Sequence, residues 1–232
     1  MLKELPSCIR KIIRELNRIP VFDNETLNNL VLHTGISEKE FEAFRRFDHA
    51  EDLSYGRQEL YCNDRFKILL MSWRQNDFTA IHNHGATEWG CVFFMGSATH
   101  RIYEMENNKL TLKRKDVFQA GQTADVCGNF IHIMGNSGAE NFITLHIYGS
   151  DSDVPDNESM AEIYAPELNK LFYTHGEAYL NISNELIKGE QYFDQIDSEA
   201  LVDYLTLVKP FYERIKNDSV LEKLKSALSL VT

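Results

Sequence analysis

Proline and glycine are sparse in this chain, 5 and 12 in 232 residues, which leaves no room for a low-complexity or collagen-like protein. Cysteine is scarce as well. Cys8, Cys62, Cys91 and Cys127 form no CxxC pair, so neither a disulfide framework nor a zinc ribbon is suggested, and a reducing cytoplasm is the simplest home. Positive charge is in deficit: 24 Lys and Arg stand against 35 Asp and Glu, a net charge of −11 with His neutral. Phosphate contacts need clustered cations, so no nucleic-acid partner is expected. Long apolar runs are also missing. The longest, Ile68 to Met71 and Cys91 to Met95, fall far below a membrane span, and the opening MLKELPSCIRKII alternates charge with apolar residues where a signal peptide would be continuously apolar. No membrane partner is expected either.

What the chain does have is a globular composition, 43% hydrophobic and 25% charged, long enough for one domain with elaborations at its ends. Leu5, Ile9, Ile12, Ile13 and Leu16 recur at helical spacing up to Pro20, and a second short helix is predicted over Glu25 to Leu32. Ser37 with Glu40 reads as a capping box, and Ile36 with Phe41 as the staple opening a third helix. From about residue 55 to 150 the texture changes to short runs such as FKILLMSW, GCVFFMG, ATHRIYEM, FIHIMG and FITLHIYG, separated by Gly, Asn and Asp. These are antiparallel strands of a sandwich or barrel, of which the jelly roll is one example. SDSDVPDNES is polar turn chemistry, and LFYTHGEAYLNI suggests a further hairpin. A helical pattern returns at Ser198, breaks at Pro210 and resumes through Val220, Leu221, Leu224 and Leu228. The expected organisation is a helical lead-in over 1–48, a β-barrel over 49–182 and a C-terminal helical extension over 183–232.

Five of the eight histidines stand in or beside the predicted strands: His82, His84, His100, His132 and His146. On a strand, His82 and His84 point to the same face and can converge on one metal. His132 follows a Gly-rich turn and could close a three-histidine site with open positions for other ligands. In Thr144-Leu145-His146-Ile147-Tyr148 the alternation puts Thr144, His146 and Tyr148 on one face, where a hydrogen bond can pass from hydroxyl to imidazole to phenol. Tyr55-Gly56-Arg57, ahead of the strands, offers a guanidinium that can hold a carboxylate bidentately. The other histidines read blandly: His100 as alternating with Arg101 on a strand, His175 as a turn residue, His33 and His49 as part of the lead-in. Cys127 reads as a small packing residue.

Taken in order, YGRQELY, FKILLMSW, IHNHG, the Gly-rich turn into IHIMGN, and TLHIY resemble the cupin thiol dioxygenases, cysteine dioxygenase in particular. The resemblance covers about 55 to 150. It implies a mainly β fold, a cupin jelly-roll barrel with N-terminal helices and a C-terminal helical extension. It also implies one mononuclear non-haem Fe(II) held by His82, His84 and His132. The family's Ser-His-Tyr row falls on Thr144, His146 and Tyr148, and its carboxylate-binding arginine on Arg57 near Tyr55. The implied reaction is oxidation of L-cysteine by O2 to cysteine sulfinate. Related 3-mercaptopropionate enzymes generally carry Gln at the arginine's place, and Gln58 is one position away.

Two departures stand out. Some family members join the Tyr to a Cys. Here the matching position is Trp89, or Gly90 if one residue is inserted, with Cys91 out of register, so no thioether is expected. Glu88 stands four residues after His84, where generic cupins often supply a carboxylate ligand. The reading favours Glu88 outside the metal's ligands. With Glu88 as ligand, a zinc, manganese or nickel isomerase or hydrolase-like enzyme becomes the competing expectation, and a non-catalytic cupin sensor the other. The C-terminal helices are expected to cover the barrel mouth or to pair two copies of the chain.

Overall fold

The structure, a computed structural model, describes residues 4–20, 23–107, 109–152 and 160–229. Two helices open the chain, α1 (Ser7–Leu16) and α2 (Asn24–Leu32). The apolar spacing of α1 buries Ile9, Ile12, Ile13 and Leu16, and Asp23 caps α2 by accepting from the Thr26 amide at 2.7 Å. The expected third helix is instead a 3-10 segment, Glu38–Phe44, with no side-chain cap. Glu40 turns away from Ser37 because its carboxylate accepts from both the amide and the hydroxyl of Ser7, each at 2.8 Å. A long-range pair of bonds has displaced the local capping box.

Twelve strands follow: β1 (Gly56–Cys62), β2 (Phe66–Trp73), β3 (Ile81–His82), β4 (Trp89–Phe94), β5 (Ala98–Glu106), β6 (Lys109–Phe118), β7 (Thr123–Val126), β8 (Ile131–Gly135), β9 (Phe142–Gly149), β10 (Ala161–Ala165), β11 (Lys170–Thr174) and β12 (Gly189–Tyr192). They form a five-stranded sheet ordered β1-β2-β9-β4-β7 and a seven-stranded sheet ordered β12-β11-β10-β3-β8-β5-β6. The chain crosses repeatedly from one sheet to the other, the interleaving of a cupin-type jelly roll. The fold is therefore mainly β, with helices at both ends.

The core divides by face. Leu69, Met71, Val92, Phe94 and Met134 pack between the sheets. Ile68 and Leu70 of β2 and Leu145 and Ile147 of β9 turn outward from the five-stranded sheet onto α1 and α2. The outer face of the seven-stranded sheet, with Ile81, Ile131 and Ile133, is covered by C-terminal residues including Tyr204, Leu205 and Phe211. Central strands buried on both faces lose the apolar and polar alternation of a half-exposed sheet.

The structure departs from the sequence pattern at three further points. LFYTHGEAYLNI does not form a hairpin within itself: β11 pairs upstream with β10 and downstream with β12. β12 thereby carries the sheet past residue 182. The third is α3 (Ser198–Arg214), which runs through Pro210 without breaking. Packing holds it on both sides of the proline, since Tyr204 and Tyr212 donate to the buried Glu167 carboxylate at 2.9 and 2.6 Å. α4 (Asp218–Ser229) follows, with Val220 buried. Residues 153–159, inside the expected polar turn, and the side chains of Leu224 and Leu228 lie outside the described residues.

His49 is more than a lead-in residue. It bonds the fully buried Asp77 at 2.9 Å. Asp77 also accepts from the Arg74 amide at 2.7 Å and pairs with Arg214 of α3 at 3.0 Å. One carboxylate thus ties the lead-in, the barrel and the C-terminal helices together.

Candidate metal centre

His82 on β3 lies directly opposite His132 on β8, so both rings project between the sheets. His84 stands just past the end of β3, and its amide donates to the Gly128 carbonyl at 3.0 Å. That bond needs a close backbone approach, since a Cβ on Gly128 would meet the Gly85 carbonyl oxygen at 2.2 Å. The Gly-rich turn is therefore part of how His84 is placed.

Among the described residues, His82, His84 and His132 bring one ligand nitrogen each to within 4.8 Å of one another, all buried. The Nε2 atoms of His84 and His132 are 2.8 Å apart, close to the roughly 3.0 Å between two nitrogens bound at right angles by bonds of about 2.1 Å. His82 donates from Nδ1 to the Ala80 carbonyl at 3.0 Å, which leaves Nε2 as its ligand atom. Burial pushes the His82 imidazole down to about 4. Burial, reinforced by the neighbouring histidines, holds His84 and His132 well below the usual range. Three neutral imidazoles facing one point fit a divalent transition metal.

Beside them runs a directed hydrogen-bond row on β9. Trp73 Nε1 donates to Thr144 Oγ1 at 2.9 Å, Thr144 Oγ1 lies 2.7 Å from His146 Nε2, and His146 Nδ1 lies 2.5 Å from the Tyr148 hydroxyl. An indole N–H can only donate, so Thr144 accepts from Trp73 and keeps a lone pair and its own proton for His146 Nε2. With Thr144 donating, His146 carries its proton on Nδ1 and donates to Tyr148; with Thr144 accepting, the proton is on Nε2 and the Tyr148 hydroxyl donates to Nδ1. Burial lowers His146 to about 3, so the ring is neutral throughout the physiological range in either tautomer. Trp73 was not singled out in the sequence; the strand FKILLMSW is apolar on both faces and gives no sign of which residues turn inward.

The histidines and this row share one small cavity, about 20 Å³ as the volume open to the centre of a water molecule. That is room for about one water, since one such sphere needs about 10–15 Å³. An amino-acid-sized ligand enters only if part of the wall moves, and Gly176 and Ala178 form part of that wall. Tyr55 also lines the cavity. It is stacked on Trp73 and Tyr179, and its hydroxyl accepts from the Ala178 amide at 3.1 Å. Arg57 lies opposite Met71, a lining residue, but does not itself line the cavity; its guanidinium stands 3.9 Å from the Glu177 carboxylate. Gln58, next along β1, bonds Arg46 at 2.5 Å and the Glu59 carbonyl at 2.8 Å.

Glu88 is exposed and its carboxylate accepts from the Asp151 amide at 2.7 Å. Hydrogen bonds from Ser152 and Asp151 hold it below the usual carboxylate range. It is outside the three-histidine group. Gly90, not Trp89, lies opposite Tyr148 across the sheet, and a Cβ there would meet the Tyr148 ring at 3.1 Å. The Cys91 thiol points the other way and bonds Asn28 at 2.9 Å. His100, read blandly in the sequence, is buried on the inner face against His132.

No protein-family model matches the chain. Solved structures similar to it include an uncharacterised double-stranded β-helix protein from Klebsiella pneumoniae, 16% identical, covering 43% of this chain and 80% of that one at a TM-score of 0.34. A cupin superfamily protein from Desulfitobacterium hafniense is 17% identical, covering 41% and 76% at 0.33. Oxalate decarboxylase from Bacillus subtilis, a protein with Mn(II) centres, is 18% identical, covering 46% and 26% at 0.35. Among the described residues no helix is long and apolar enough to cross a membrane.

Proposed function

We propose that the protein is a non-haem iron thiol dioxygenase that oxidises L-cysteine with O2 to cysteine sulfinate in a reducing cytoplasm. The observation that carries this reading is the meeting of two devices in one cavity: three neutral imidazoles without a carboxylate, and a tyrosine whose hydroxyl is held at the end of a buried hydrogen-bond row. The proposal takes its iron, its substrate and the role of each residue from the resemblance of the sequence motifs.

Bound iron(II) would supply the activation of O2. The chain's own residues do the rest. His82, His84 and His132 hold the metal through neutral nitrogens. Arg57 holds the substrate carboxylate once it replaces Glu177, whose pairing at 3.9 Å between partly exposed groups is weak. Tyr148, held by its bond to His146, would turn its hydroxyl toward the substrate thiol, and Tyr55 and Trp73 would wall off water. In the overall reaction both atoms of O2 bond to sulfur, sulfur loses four electrons to them, and the thiol proton is released from the sulfinic acid.

The test is O2 consumption by the iron-reconstituted protein with L-cysteine and, separately, with 3-mercaptopropionate, the product being identified by mass. Saturable uptake with cysteine sulfinate formed, lost in Arg57→Ala, is the expected outcome. Turnover of 3-mercaptopropionate alone would move the substrate assignment. No uptake with either thiol at full iron occupancy would reject the dioxygenase reading.

A further inference from the structure

We propose that His100 is a positioning residue for the metal centre, holding His132 in the tautomer and orientation that present Nε2 to His82 and His84. The inference rests on the reading of the three histidines as metal ligands and is independent of which thiol, if any, is oxidised.

His100 Nε2 lies 2.7 Å from His132 Nδ1, and both residues are 2% exposed. The other nitrogen of His132 faces His84 at 2.8 Å. A metal takes a lone pair, so a ligating His132 Nε2 carries no proton and its N–H sits on Nδ1. The bond to His100 then has one direction: His132 Nδ1 donates and His100 Nε2 accepts. His100 must in turn carry its proton on Nδ1, and that atom has no hydrogen-bond partner among the described residues. Buried donors are almost always satisfied. A buried imidazole that leaves one nitrogen unsatisfied while turning the other to a ligand fits a residue retained for the ligand's sake.

The surroundings fix the ring. Phe118 meets it edge-on at 5.3 Å and Phe130 lies nearly parallel at 5.8 Å. The usual partner of a metal-bound histidine is a carboxylate, a carbonyl or water. Between two phenyl rings a carboxylate would carry a desolvation cost. A neutral imidazole supplies the same acceptor with no charge. His82 is served in the same manner by the neutral Ala80 carbonyl, so neither partner adds charge to the ligand set.

The test pairs His100→Phe, which fills the space without an acceptor, with His100→Gln, whose amide oxygen restores one. Co(II) binding is titrated in each, with thermal denaturation as the check on folding. His100→Phe is expected to fold and to bind Co(II) about 10 to 100 times more weakly, with altered ligand-field bands; His100→Gln is expected to recover most of the affinity. Equal affinity and identical bands in His100→Phe and the parent would overturn the proposal, as would a His100→Gln no better than His100→Phe. If His100→Phe fails to fold, His100→Gln against the parent decides. Nitrogen chemical shifts of the metal-free parent give an independent reading: His132 protonated at Nδ1 is expected, and protonation at Nε2 would overturn the inference. A parent that shows the expected tautomer yet binds no metal would instead remove the metal-centre reading.

Discussion

Trp73 anchors one end of the Thr144, His146 and Tyr148 row, because an indole can donate and never accept. The role assigned to Tyr148 follows from its place at the other end, bonded to His146 and packed against His84. Tyr148→Phe keeps the ring that packs against His84 and removes only the hydroxyl, so metal content should be unchanged while turnover falls about a hundredfold; metal analysis beside steady-state rates checks both. Ligand assignments separate in the same way. His132→Ala should lose the metal, whereas Glu88→Ala should keep full occupancy, since Glu88 caps the 151–152 turn. Metal retained in the first variant, or lost in the second, would rewrite the ligand set. At this scale much was readable. Period-2 spacing is local, so Thr144, His146 and Tyr148 share a face of β9 as expected, whereas the expected strand placement of His84 is corrected: it lies past the end of β3 and is brought beside His82 by the Gly128 approach. Trp73 and His100 were not readable: each sits in a strand whose inward face carries no polarity signal, and each acts on a residue far away in sequence.

Among the elements, α3 shows a local rule overruled. Proline in a helix interior removes a hydrogen bond and crowds the preceding turn, yet the segment stays helical through Pro210 because its aromatic side chains are anchored on either side. Pro210→Ala should raise stability by about 2 kcal/mol, the roughly 3 kcal/mol helix penalty less up to about 1 kcal/mol of lost chain stiffness. Chemical denaturation measures it, and an unchanged midpoint would mean that the proline costs nothing here. The anchor itself is Glu167. Glu167→Ala leaves the Tyr204 hydroxyl without its acceptor and should cost about 1–3 kcal/mol, while Tyr212 retains the Leu180 carbonyl at 3.0 Å. Glu167→Gln should cost less. The capping box at Ser37 failed for a related reason: Glu40 found a stronger pair of donors on α1.

For the whole molecule, the buried histidines set the response to acid. His82 and His146 are pushed from 6.5 down to about 4 and about 3 by burial. Between those values the unfolded chain binds protons that the folded chain refuses. Stability is therefore fully present above about 6.5 and is lost as pH falls toward 4. Melting temperatures of the metal-free protein across that window should drop steadily, and a flat profile would show these imidazoles to be more accessible than their burial implies. Saturating metal should raise the upper part of the curve without flattening it and steepen the acid end, because bound metal excludes protons from the folded nitrogens while the unfolded chain still takes them up.

By itself the sequence determined the helical lead-in, the strand-rich centre, the helical return and the local face of TLHIY, because helical and strand periodicities are written in neighbouring residues. Only the tertiary structure decided that His132 meets His84 across 48 residues, that Gly90 and not Trp89 faces Tyr148, and that Trp73 and His100 turn inward. Those outcomes depend on register between strands far apart in sequence, most of them buried on both faces, where packing against the opposite sheet selects the side each residue takes.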